Sequence, residues 1–132
     1  MLDVVFVFGN PDSPVDSLPL RILPELRARF QNVRFETKDP NEEWDIPEEL
    51  VVIDTVVGID GPRVFTSLKN FVSGPRVSIH DFDAFTNMRL LEKLGRLKRV
   101  RIIGLPPECT EAEAISAVSD ALRQEKRTSD GS

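Results

Sequence analysis

The chain has 132 residues, a mass of 14.9 kDa and a formal net charge of −5, from 17 basic and 22 acidic side chains. This length fits a single domain, and the acidic balance argues against nucleic acid or an anionic membrane as a partner. The only cysteine, Cys109, excludes an internal disulfide and a multi-cysteine metal site. No apolar run approaches the ~20 residues that cross a bilayer, and the N-terminus lacks the basic residues of a signal peptide. We therefore expect a cytoplasmic protein.

The predicted elements alternate along the chain. Continuous or alternating apolar runs predict strands at Leu2–Phe8, Val33–Thr37, Leu50–Ile53, Arg63–Leu68, Arg76–Ile79 and Val100–Ile103. Apolar residues at helical spacing predict one helix that carries Leu18, Ile22, Leu26 and Phe30, a second over Asp83–Leu94, and a third that carries Ile115, Val118 and Leu122. Pro24 should kink or delay the first helix, Gly95 should end the second, and Thr110 with Glu113 should cap the third.

Three of the predicted strands, Leu2–Phe8, Leu50–Ile53 and Val100–Ile103, are continuous or nearly continuous apolar runs, which is typical of strands buried on both faces. Together with the alternation of strands and helices, this predicts an α/β three-layer sandwich: a largely parallel, twisted sheet of about five strands with helices on both faces. We expect one domain over residues 1–126 and a flexible polar tail over 127–132. In such sheets, ligand-binding and catalytic groups gather at the carboxyl ends of the strands.

Four polar residues stand where such a site is expected. Asp54 directly follows the apolar run 50–53, the only histidine, His80, follows another predicted strand, and Asp12 and Asp16 lie in the loop after the first strand. Each has a structural interpretation, as a strand-end cap, a surface histidine or a turn former. Together they offer carboxylate oxygens and an imidazole nitrogen, a ligand set that suits a divalent first-row metal ion.

Four sequence segments in order resemble the hydrogenase maturation proteases, which trim the C-terminus of the nickel–iron hydrogenase large subunit. The first is a strand with a G-N-P turn and an acidic residue before a helix, and the second is an apolar strand that ends in Asp. The third is a Ser-x-His element after a Gly-Pro segment, and the fourth is a strand that leads to glycine and proline. In this chain they read FVFGNPDSPVDSLP, LVVIDTVVG, VSIHDFD and VRIIGLPP, and the resemblance covers residues 2 to about 123.

The resemblance implies which residues carry the function. By position, the family's nickel-contacting residues correspond to Asp16, Asp54 and His80, and the carboxylates of an aspartic-type endopeptidase correspond to Asp16 and Asp54. The nickel would be supplied by the hydrogenase precursor, which would be the protein partner, rather than held tightly by this chain. Whether a metal-activated water or a carboxylate base performs the hydrolysis stays open.

The chain departs from the family pattern around Asp16. The first glycine of G-x-G-N is absent, and Val15 stands where the family has the first residue of its acidic pair. These departures support an alternative function, a non-catalytic, protease-like chaperone that binds a metalloprotein precursor. A phospho-acceptor receiver domain is a weaker alternative, because Gly9 and Asn10 stand where that class has an acidic pair.

Overall fold

The computed structural model describes residues 4–9, 12, 17–38, 47–66, 78–79, 90 and 92–130. The strands are β1 (Val4–Val7), β2 (Arg34–Thr37), β3 (Glu49–Val57), β4 (Arg63–Phe65), β5 (Ser78–Ile79) and β6 (Arg99–Leu105). The helices are α1 (Leu18–Arg21), α2 (Leu23–Arg29) and α3 (Glu111–Asp130). Residues 90, 92 and 93 are also helical. No described helix is long and apolar enough to cross a membrane.

The sheet has the strand order β2-β1-β3-β6-β4. Strands β2, β1, β3 and β6 are parallel, β4 is antiparallel to β6 at one edge, and β5 is antiparallel to the last residues of β3. The prediction of a largely parallel α/β sheet is thus confirmed. The chain passes from β1 to β2 on one side and then returns to β3 on the other, so the crossover direction reverses between β1 and β3. Ligands of open α/β sheets bind at such a reversal, outside the carboxyl ends of the strands.

Both faces of the sheet are buried, as the continuous apolar strands predict. One face packs against α1, α2 and α3, which contribute Leu18, Ile22, Leu23, Leu26, Ala114, Val118 and Leu122 to the core. The other face carries the apolar residues Phe6, Phe8, Leu50, Val52, Val56, Phe65, Val100 and Ile102, with Ile59 and Leu97 from loops. A site at the end of β3 therefore stands between two hydrophobic layers.

The first predicted helix consists of two short helices that meet at Ile22, which ends α1 and precedes α2. Pro24 lies in the first turn of α2, where its missing N–H removes no helical hydrogen bond. Leu18, Ile22 and Leu26 are nevertheless all buried, as their spacing predicts. The proline therefore interrupts the helix without moving its apolar stripe away from the core.

Two strands and one helix are longer than their sequence patterns predict. Strand β3 continues through Asp54 to Val57, because β6 pairs with it as far as Thr55 and β5 pairs with its last two residues. Strand β6 likewise continues through Gly104. Helix α3 extends to Asp130 and so includes residues 127–130, which the composition predicts as tail. In the second predicted helix, residues 83–89 and 91 lie outside the described residues, while Gly95 follows with φ +75°, a conformation that suits a helix end.

Candidate functional site

The apolar run 50–53 predicts that Asp54 directly follows the central strand. In the structure β3 continues to Val57, so Asp54 lies inside the strand. It stands level with Gly104 of β6 on one side, and the N–H of Phe8 extends the ladder on the other side by donating to the carbonyl of Ile53 at 3.0 Å. Its side chain is on the same face of the sheet as Val52 and is 0% exposed. It lies at the level where β1 ends and the following loop begins. The carboxylate is therefore at the carboxyl end of β1, next to the crossover reversal.

The Asp54 carboxylate has a structural role in its own strand. Its Oδ1 accepts a hydrogen bond from the backbone N–H of Thr55 at 2.8 Å. This contact is the one that the structural interpretation of Asp54 predicts, and it uses one of the roughly four lone-pair positions of a carboxylate. It ties one oxygen of the carboxylate to the backbone of its own strand.

Thr55 follows Asp54 on the opposite face of β3. Its side chain is fully buried, and its hydroxyl has no hydrogen-bond partner among the described residues. A buried hydroxyl without a partner is uncommon in a folded protein. No sequence signal marks Thr55, because a threonine in an apolar run is ordinary in a strand.

Position 104, beside Asp54, requires glycine because neighbouring side chains already fill the space that a Cβ atom would occupy. A Cβ atom at this position would lie 2.7 Å from Cγ2 of Val56 and 3.0 Å from Cε2 of Phe65. The sequence predicts Gly104 as a strand terminator, whereas the structure places it within β6. Its missing side chain lets Val56 and Phe65 close over the sheet next to the carboxylate.

Asp16 lies outside the described residues, so its predicted role stays a prediction. The described chain resumes at Ser17, which is 9% exposed, precedes α1 and accepts a hydrogen bond from Nε of Arg21 at 3.2 Å. Helix α1 packs against β3, the strand of Asp54. The loop after β1 thus ends on an element that contacts the strand carrying the candidate carboxylate.

His80 also lies outside the described residues. Strand β5, which precedes it, pairs with β3 so that Ile79 is opposite Val56 and Ser78 is opposite Val57. Because the pairing is antiparallel, β5 runs along β3 from the level of Val57 to the level of Val56, toward Asp54. The predicted convergence of His80 and Asp54 remains a prediction.

The described residues contain no group of three or more His, Cys, Asp and Glu side chains that could hold a metal ion. Two of the three predicted ligands fall outside those residues, so the ligand set of Asp16, Asp54 and His80 is a prediction. Asp12 is an exposed turn residue.

Cys109 lies in a different part of the fold, just before α3. Burial raises the pKa of its thiol, with smaller contributions from the negative charges of Glu113 and Glu108. Because the thiolate is the nucleophile, a raised pKa makes Cys109 less reactive than an ordinary cysteine at neutral pH. The chemistry of Cys109 is therefore not that of an activated nucleophile.

Comparisons with known proteins do not show a family. No protein-family model matches the chain, and no solved structure matches it. A segment of 74 residues, 56% of the chain, is 34% identical to part of structural maintenance of chromosomes protein 2 from Xenopus laevis. The match covers 6% of the length of that protein. So small a share of the relative shows neither a common family nor a common activity.

Proposed function

We propose that this protein is an endopeptidase that removes the C-terminal extension of a nickel–iron hydrogenase large-subunit precursor after nickel insertion. The observation that carries the proposal is the position of Asp54, a backbone-bonded carboxylate in the central strand at the crossover reversal of a largely parallel sheet. The four sequence segments that resemble the maturation proteases support it. We place the protein in the cytoplasm, where the precursor would be its partner.

In the proposed site, Asp16, Asp54 and His80 contact the nickel that the precursor carries. Carboxylate oxygens and a neutral imidazole nitrogen suit such an ion, and two acids with one imidazole form an incomplete site that the substrate completes. A precursor without nickel would lack the atom that these side chains contact. This arrangement explains how processing would wait for metal insertion.

Hydrolysis of the peptide needs an activated water and a polarised carbonyl. The substrate's divalent ion can supply both by acting as a Lewis acid. A carboxylate, Asp16 or Asp54, can instead take the proton of the water as a general base. In either role, the hydrogen bond from the Thr55 N–H ties one oxygen of the Asp54 carboxylate to the strand.

The test is the processing of nickel-loaded precursor by wild-type protein and by Asp54→Asn and His80→Ala variants. Asparagine keeps an acceptor oxygen for the Thr55 N–H, so we expect Asp54→Asn to fold normally while losing processing. Intact mass of the precursor measures cleavage, and circular dichroism checks the fold. Asp60→Asn, a change at an exposed acid in the loop after β3, is the matched control and should process at the wild-type rate.

Normal processing by both Asp54→Asn and His80→Ala would show that the site is assigned wrongly. Loss of processing in Asp60→Asn as well would show that the assay responds to loss of acidic charge in general. A folded Asp54→Asn variant without activity, beside an active Asp60→Asn variant, is the result that supports the proposal.

A second candidate function is a non-catalytic chaperone that binds the same precursor. The complete burial of Asp54 favours it, because a chaperone does not need this carboxylate to reach a scissile bond. The absent first residue of the acidic pair, where Val15 stands, also favours it. A chaperone would form a stable complex with the precursor and leave its mass unchanged, whereas an endopeptidase would shorten it.

A further inference from the structure

A cavity of about 160 Å³ lies between the sheet and the second half of α3, at the side of the edge strand β4. It is on the face of the sheet that packs against the helices, whereas the Asp54 side chain is on the other face, so the cavity is separate from the proposed active site. Three strands and one helix contribute to its lining, which includes Val51, Val64, Arg101, Ile103, Ala121 and Leu122.

The register of β6 places an arginine in this cavity. Side chains alternate between faces along a strand, so Val100 and Ile102 belong to one hydrophobic layer, while Arg101 and Ile103 are on the face that α3 covers. In the ladder between β3 and β6, Arg101 is directly opposite Val51. The guanidinium-bearing side chain therefore leaves the sheet within a row of apolar side chains.

Arg101 is the only charged residue among the described ones that line the cavity. Its side chain is half-buried, and its Nε atom is buried. A guanidinium group has five N–H donors in a planar fork, so it can hold a ligand alongside a contact with the protein. Because the neighbouring walls are apolar, an ion pair formed here is screened less than one on the open surface.

The cavity is accessible from the edge of the sheet. Val64, in the middle of β4, is 38% exposed, and Thr66, which also lines the cavity, is exposed. Apolar cavities of about this volume hold a molecule of the size of benzene. An apolar wall with few polar groups is also the usual composition of a small-molecule site, in which the polar group fixes the orientation of the ligand.

We propose that this cavity binds a small carboxylic acid with an apolar body of about six carbon atoms, whose carboxylate is held by Arg101. The two oxygens of a carboxylate match the fork of the guanidinium group, and the apolar body fits against Val51, Ile103 and Leu122. Inorganic phosphate has no apolar part to place against these walls and loses more hydration on burial. This binding activity goes beyond the proposed function and does not depend on hydrolysis at Asp54.

The test is a titration of the full chain with benzoate, followed by the backbone amide shifts in NMR spectra. We expect saturable shifts around Val64, Arg101 and Ala121, with a Kd on the order of 1 mM for so small a ligand. Benzamide, which has the same shape without the charge, should bind about tenfold more weakly. Inorganic phosphate should cause no saturable shift at these residues.

Two variants remove different parts of the site. Arg101→Gln removes the cation and should weaken benzoate binding about tenfold, to the level of benzamide. Ala121→Leu keeps the cation, retains a good helix former in α3 and fills the cavity, so it should abolish binding of both ligands. Arg96→Gln, which removes an exposed arginine outside the cavity, is the matched control and should bind benzoate as wild type does. Circular dichroism checks the fold of each variant.

The absence of saturable benzoate binding by wild type in the millimolar range would overturn the proposal, and so would equal affinity for benzoate and benzamide. Wild-type affinity in folded Arg101→Gln or in Ala121→Leu would overturn it as well. If Arg101→Gln does not fold, the comparison of benzoate with benzamide and the loss of binding in Ala121→Leu decide the matter. Cleavage of a hydrogenase precursor is a separate measurement, so failure of one proposal leaves the other intact.

Discussion

Asp54 combines two properties that are uncommon for an aspartate, since most aspartates are exposed. It is fully buried, and its carboxylate accepts a hydrogen bond from the next backbone N–H of its own strand. Burial of a carboxylate is unfavourable unless polar partners compensate it. The Thr55 N–H supplies one such partner, and this hydrogen bond offsets part of the cost of burying Asp54 in a largely apolar strand.

Substitution of Gly104 by alanine should destabilise the protein. The new Cβ would stand 2.7 Å from Cγ2 of Val56, so either that side chain or the backbone of β6 must move. We expect a loss of about 1–3 kcal/mol in the free energy of unfolding, measured by urea denaturation. Gly61→Ala is the control, because among the described residues, its own chain neighbours apart, no atom lies within 4 Å of the new Cβ. Equal stability of the two variants would contradict the crowding at Gly104.

The raised pKa of Cys109 predicts slow alkylation. In the folded protein the rate of reaction with iodoacetamide should rise with pH at a higher midpoint than in the urea-unfolded chain, because burial and then Glu113 and Glu108 disfavour the thiolate. Glu113→Gln should lower that midpoint. A folded midpoint at or below the unfolded one would contradict the prediction.

The raised pKa of Cys109 also makes the free energy of unfolding depend on pH. The folded state holds the thiol proton of Cys109 more tightly than the unfolded state does. The contribution of this group to stability is therefore complete below the unfolded-state pKa, and it is lost as the pH rises through the folded-state pKa.

Helix α3 begins with the cap that its sequence predicts. The Thr110 hydroxyl accepts from the backbone N–H of Glu113 at 3.1 Å and donates to the Glu113 carboxylate at 2.8 Å. In the usual capping box the carboxylate accepts from the backbone of the cap residue, so the side-chain contact here is a variation. The cap fixes where α3 begins and so where Ala114 and Val118 enter the core.

Removal of this cap should therefore weaken the whole fold. We expect Thr110→Ala to lower the free energy of unfolding by about 1 kcal/mol, because the Glu113 N–H loses its acceptor. Thr110→Ser keeps the hydroxyl and should stay close to wild type. Urea midpoints of the three proteins provide the measurement, and equal midpoints for Thr110→Ala and Thr110→Ser would contradict the role of the cap.

Sequence patterns predict where the helices and strands lie better than they predict the residues at which each one ends. The four-residue spacing from Leu18 to Leu26 predicts a buried stripe, and the structure has it, although Pro24 divides the helix in two. The ends of β3 and β6 are missed because they depend on pairing. Asp54 and Gly104 look like strand terminators in sequence, yet each is kept in a strand by its neighbour across the ladder.

The candidate site was partly predictable for a related reason. A carboxylate after an apolar run is visible in sequence, and so is the likelihood that strand ends share an edge of the sheet. The position of Gly104 beside Asp54 is not visible in the same way, because it arises from the parallel pairing of β6 with β3. That register depends on the fold of both strands and has no local sequence signal.

The topology of the whole molecule joins these features. The chain reverses its crossover direction between β1 and β3, so the last residues of β1, Asp54 and Gly104 stand toward one end of the sheet. Exposed ion pairs such as Arg21 with Glu111 link helices on the opposite face and contribute little to stability. The organisation of the site thus follows from strand order.

The most direct test of the account is the intact mass of a nickel–iron hydrogenase large-subunit precursor, incubated with wild-type protein in its nickel-loaded and nickel-free forms. The account predicts that the loaded precursor loses the mass of its C-terminal extension and that the nickel-free precursor keeps its full mass. An unchanged mass of the loaded precursor would contradict the endopeptidase, and equal cleavage of both forms would contradict the contact with nickel.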